Sequence, residues 1–190
     1  MTPAKTLIKM HTDKDCETFH AASLPKFLNP DQIKMFLCPF KEDWIFVHKA
    51  RFCDGFLNIE FNTFNHPFKH PTKHLTRNHI IMFTTQASHL LGGCLAMYDD
   101  SWPVNEKQYV QLLKDEQATF TDINLHFRQF IPNKDRINMV IWTERQKMYR
   151  RKLFLDLHFA FDSACYGNFK AILATDGSFV PDIKSNIINT

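Results

Sequence analysis

Glycine is scarce in this chain, with five in 190 residues. From Gly55, Gly92, Gly93, Gly167 and Gly177 no GxGxxG, GxxxxGK[ST] or GxSxG can be assembled. The usual nucleotide-cradling loops and the strained serine elbow are therefore excluded, since each needs glycine where the backbone turns left-handed or approaches a ligand. HExxH is missing too, as is any repeat or low-complexity tract. The five cysteines (Cys16, Cys38, Cys53, Cys94, Cys165) form no CxxC pair, and their odd number leaves one over in any disulfide scheme. Free thiols in a reducing compartment, acting as small core hydrophobes, are the expectation. Met1–Met10 holds no apolar run of signal-peptide length. The most apolar stretch, Ile80–Tyr98, is interrupted by Thr84, Thr85, Gln86 and His89, which makes a bilayer crossing expensive. A cytoplasmic protein with no membrane partner is expected. A net charge of +3 is too mild to argue for nucleic acid.

Apolar material, by contrast, is plentiful: 44% of residues are hydrophobic and nineteen are phenylalanine. The length suits one domain with a sizeable core, and so many rings promise a large apolar interior or a ring-lined pocket. Pro30–Leu37 reads as a short helix, with Asn29 as N-cap and Asp31 in its first turn. Trp44–Ala50 reads as a strand. A second follows Gly55, where Leu57, Ile59 and Phe61 alternate with Asn58, Glu60 and Asn62. Pro67 and Pro71 make the segment NHPFKHPTKHLTRN (residues 65–78) an irregular loop.

A long helix starts at 77–79, its apolar face carried by Ile80, Phe83, Ala87, Leu90, Leu91 and Cys94. Gly92 and Gly93 either end it or mark a close packing contact. A more polar helix spans Asn105–Glu116. From Ala118 onward the pattern is strands: 123–127, 137–141, 153–161 and 165–174, read as a four-strand meander. A curved antiparallel sheet of about six strands wrapped on one long helix covers both apolar surfaces. That is the α+β plan of a hotdog fold.

The stretch HLTRNHIIMFTTQASHLL (His74–Leu91) resembles the central helix of hotdog thioesterases and dehydratases. Ser101–Phe161 is similar in layout to the FcoT-like acyl-CoA thioesterase family. Shared features are a tryptophan before the short polar helix, a Phe-Arg pair leading into a Pro-Asn turn, and a basic, aromatic hairpin. The resemblance covers about residues 38–175. It sets an N-terminal extension with a short helix over 1–37, a hotdog domain over 38–180 and a tail over 181–190. It implies long-chain acyl thioesters on coenzyme A or acyl carrier protein as substrates, a homodimer with pockets at the seam, and no cofactor. Some relatives are tied to adding glycine across an enoyl thioester. The chain departs from the family with Phe40 and Phe68 in place of tyrosines, and Thr76 and Thr85 in place of helix asparagines.

Hotdog enzymes place an acid, base or amide on the central helix or in the loop before it, beside the thioester carbonyl. Here Asn78, Thr85, Gln86 and His89 fall at spacings of three, four, seven and eight and share one stripe. Such a stripe is expensive inside a sheet unless it faces a cavity or a dimer seam. The bland alternative is a set of satisfied core hydrogen bonds. His66, His70, His74 and His79 crowd the preceding loop, and one is a candidate general base. A metal site is disfavoured by the prolines and the lack of nearby cysteine. The helix carries no Asp or Glu between Asn78 and Tyr98, which argues against a histidine–carboxylate dehydratase.

The resulting assignment gives catalysis to His74, Asn78, Thr85 and Gln86, and substrate contacts to Phe40, Phe68, His70, His79, His89, Arg145 and Arg150. The two arginines belong to the basic segment Glu144–Lys152, which either holds coenzyme A phosphates or an acidic carrier protein, or is a solvated hairpin. Rivals to hydrolysis are a non-catalytic acyl-binding protein and a lipid- or polyketide-assembly enzyme acting on carrier-bound groups.

Overall fold

The computed structural model describes residues 24–62, 74–132, 136–162 and 164–175. The elements are β1 (Lys26–Phe27), α1 (Pro30–Phe36), β2 (Val47–Cys53), β3 (Phe56–Asn62), α2 (Arg77–Tyr98) and α3 (Glu106–Lys114), followed by β4 (Ala118–Phe127), β5 (Arg136–Tyr149), β6 (Lys152–Phe161) and β7 (Cys165–Ala174). The strands form one antiparallel sheet of seven in the order β1-β2-β3-β5-β6-β7-β4, against which α2 packs. This is the expected hotdog plan.

Local chemistry accounts for the boundaries. Asn29 caps α1 and Asn105 caps α3, each accepting the N–H three residues on, while Gln32 and Gln108 reach back to close the capping boxes. β2 and β3 are joined by Asp54–Gly55, both in the left-handed region (φ 49° and 83°), the two-residue turn whose twist matches paired strands. Leu57, Ile59 and Phe61 point inward and are buried. Phe83 on α2 stacks on Phe61 with ring centroids 4.5 Å apart, and also meets Phe46 and Phe161. One helix face thus joins two distant strands.

Two expectations are corrected. Trp44 belongs to a 3-10 turn, Glu42–Trp44, and the strand begins only at Val47. The long helix does start within 77–79, at Arg77. Strands 118–174 are not a four-strand meander, because β4 crosses away from β5 and pairs with β7 at the far edge. Residues 128–132 leave the β7 edge and run towards the start of α2, where Pro132 bridges His74.

Gly92 and Gly93 sit inside α2, where they admit close contacts. A Cβ on Gly93 would lie 2.5 Å from the Phe36 ring, and one on Gly92 would strike the ring of Tyr109. Residues 24–37, assigned above to an extension, place Phe36 and Leu37 wholly inside the core. By length and composition α2 could cross a membrane, but 72% of its most apolar window is buried within the fold.

A candidate functional site at the start of the central helix

Helix α2 begins in an unusual electrostatic setting. Its first turn contains no acidic residue, but it does contain Arg77. The N–H groups of Arg77 and Asn78 lie ahead of the first i→i−4 bond, Ile80 to Thr76, so the helix supplies them no acceptor. Partial positive charge from the helix therefore adds to a guanidinium instead of being offset by a carboxylate. Arg77 and Asn78 are both exposed.

Two histidines flank this turn in different ways. His79 is buried, and its Nδ1 accepts the Thr76 N–H at 2.9 Å. That fixes the ring as a cap, with the proton of the neutral imidazole on Nε2. His74 is exposed and lies over Phe130, ring centroids 5.0 Å apart and 28° from parallel. The backbone there is anchored: His74 bridges Pro132, and the Leu75 N–H donates to the Ile131 carbonyl at 2.9 Å. The crossing connection between β4 and β5 thus positions the helix start.

Further along α2 the polar stripe divides. The Thr85 hydroxyl donates to the Ile81 carbonyl at 2.8 Å. Gln86 is fully buried and clamps the approach to β2, its amide nitrogen donating to the Trp44 carbonyl at 2.6 Å and its oxygen accepting the Phe46 N–H at 3.1 Å. Both ends of that amide are engaged, so the Gln86 side chain assigned above to catalysis forms a structural bridge here. His89 lies between Phe40 and Phe120, at ring distances of 5.3 and 5.6 Å. Burial pushes its pKa down to about 4, which keeps the imidazole neutral.

His89 also borders a small cavity of about 30 Å³ that it shares with Trp102, Tyr109, Ser88 and Leu155. His89 Nδ1 and Trp102 Nε1 have no hydrogen-bond partner among the described residues, whereas the Tyr109 hydroxyl donates to the His89 carbonyl at 3.1 Å. This space is water-sized, too small for an acyl chain. Sequence reasoning missed Tyr109, Trp102 and Phe130 as neighbours of the site residues. Trp102 stands in the sequence as the tryptophan before the short polar helix, and nothing local signals a contact with residue 89.

Arg145 and Arg150 are not brought to the helix start. The start of α2 lies at the β5 end where Phe83 meets Phe61, the strand partner of Ile137. Arg150 is at the opposite tip, roughly 40 Å away along a strand rising about 3.3 Å per residue. Phe68 and His70 lie outside the described residues. Burial pushes the Cys94 thiol far up and Cys165 to about 11, so neither supplies a thiolate at neutral pH. Among the described residues no group of three or more His, Cys, Asp or Glu is placed to hold a metal.

No family model matches the chain, and no curated protein does; the FcoT-like likeness therefore has no support from either comparison. Solved structures do resemble it. The HP0420-homologue from Helicobacter felis has a TM-score of 0.46 at 9% identity, over 83% of this chain and 93% of that one. A hypothetical thioesterase with coenzyme A from Streptococcus pneumoniae TIGR4 has a TM-score of 0.46 at 11% identity, over 74% and 95%. A mutant thioesterase, PA1618, from Pseudomonas aeruginosa has a TM-score of 0.44 at 12% identity, over 77% and 94%.

Proposed function

We propose that this chain is a thioester hydrolase of hotdog architecture, acting on an acyl group carried by coenzyme A or a carrier protein. One observation carries the reading: the electropositive first turn of α2, where the N–H groups of Arg77 and Asn78 find no acceptor within the helix and the exposed His74 lies just ahead of it. N–H groups of Arg77 and Asn78 would polarise the thioester carbonyl and hold the oxyanion that forms on attack. His74 would take a proton from the attacking water as the C–O bond forms, and its imidazolium would return that proton to the departing thiolate as the C–S bond breaks, leaving a free acid and a thiol. Arg77 favours the anionic portion of the carrier. β4 is one of the two edge strands and the longer of them, so pairing with a second copy along it would build the expected homodimer.

The test is thiol release from short-, medium- and long-chain acyl-CoA esters by wild type, His74→Ala and Gln86→Ala. His74→Ala should lose at least about a hundredfold in kcat/KM with its melting temperature unchanged, a typical general-base contribution. Gln86→Ala should do the reverse. It strands the Trp44 carbonyl and the Phe46 N–H, lowering stability by about 2 kcal/mol while the folded fraction stays active. Full activity in His74→Ala would overturn the assignment of the base. The commitment of Gln86 and His79 to structural hydrogen bonds favours a second reading, acyl binding without turnover. That reading expects no release from any ester while a fluorescent acyl ligand still binds.

A further inference from the structure

β5 is 14 residues long, but its neighbour β3 ends at Phe56, opposite Trp142. β6 continues on the other side until Lys152, opposite Tyr149. From Thr143 to Tyr149, β5 therefore presents an edge against which no strand lies among the described residues. Alternate backbone N–H and C=O groups along that stretch point away from β6, about three of each. After a register shift at Glu144, the ladder from Arg145 to Tyr149 is regular.

The side chains on this edge are one-sided in charge. Residues 144–152 hold five basic groups and one acidic group. By register Arg145, Lys147 and Tyr149 share the outer face, while Gln146 and Met148 share the core-side face with Leu155 and Leu153. At the tip Arg150 and Arg151 occupy a two-residue turn with φ of 46° and 60°, where Asn-Gly would sit without strain. Basic charge on an edge strand can serve simply to repel other strands. Protection alone does not explain why Met148 (44%), Tyr149 (52%) and Phe154 (37%) stand exposed on the same hairpin.

We propose that the Thr143–Tyr149 edge docks an extended acidic segment of a partner protein, which adds as a further strand beside β5. Backbone pairing gives the affinity. Acidic residues of the segment on the outer face meet Arg145 and Lys147, and apolar residues on its other face cover Met148. This site is at the far end of β5 from the start of α2, and it stands whether or not the chain hydrolyses thioesters.

Fluorescence anisotropy of the full chain with a labelled peptide alternating Glu and Val tests the proposal. Three comparisons are needed: a Lys/Val peptide, the Glu/Val peptide methylated at alternate backbone nitrogens, and anionic lipid vesicles. The Glu/Val peptide should bind about tenfold tighter than Lys/Val, and the Arg145→Glu, Lys147→Glu double variant should reverse that order. Backbone methylation should abolish binding. Equal binding of the methylated peptide would overturn strand addition and leave charge attraction alone. Binding of vesicles but not peptide would overturn the protein partner in favour of a lipid surface. Absence of Glu/Val binding would reduce the basic edge to a guard against aggregation.

Discussion

The imidazole of His89 is neutral and enclosed between Phe40 and Phe120, and replacing it with leucine should change how the protein responds to acid. Burial holds the folded-state pKa down at about 4, while the unfolded chain protonates near 6.5. Below 6.5 the unfolded state therefore binds a proton that the folded state refuses, and stability falls as pH drops toward 4. Below 4 both states are protonated and the loss levels off. A gap of that size, at 1.36 kcal/mol per pH unit, amounts to about 3 kcal/mol. His89→Leu removes this loss. It also removes the unpartnered Nδ1, whose burial costs about 1–3 kcal/mol in its own right. Urea unfolding of both proteins from pH 7.5 to 4 is the assay. At neutral pH the variant should match or exceed the wild type, and the difference should widen by about 3 kcal/mol toward pH 4. Carboxylates titrate in the same range, but equally in both proteins. Parallel curves would refute the claim that burial keeps His89 neutral in the folded protein.

Gly93→Ala should destabilise by about 1–2 kcal/mol in urea melts, because the added methyl meets the wholly buried Phe36 ring and outweighs the gain in helix propensity. A more stable variant would show that Phe36 can move. Replacing Arg150–Arg151 with Asn-Gly should raise stability by about 1 kcal/mol, since both positions are left-handed. No gain would mean that the turn adopts another geometry in solution.

Much of the architecture was legible where burial is one-sided. The alternations at 57–61 and 153–161 and the apolar face of α2 each report a single buried surface, and each element appears as expected. Pairing order was less legible. Ile123 and Leu125 announce a strand, but nothing in them says that its neighbour is β7 rather than β5, because pairing depends on contacts distant in sequence. At the site, Gln86 and His89 were found as polar residues on a buried helix. Their partners, however, are backbone atoms of Trp44 and Phe46 and the rings of Phe40 and Phe120, and backbone acceptors leave no mark in a sequence. Arg145 and Arg150 were grouped with the site by charge alone. Strand length then separated them from it.

The adjacent glycines of α2 bear on motion as well as packing. Phe36 from α1 and Tyr109 from α3 rest on consecutive residues of the same helix, approaching it from two different elements. A screw motion of α2 by one residue, about 1.5 Å along its axis with about 100° of rotation, would carry a Cβ-bearing neighbour under at least one of those rings. The helix is thus denied that motion in either direction, and the Gln86 clamp restrains rotation two turns earlier. The donors of its first turn stay at a fixed depth in the sheet.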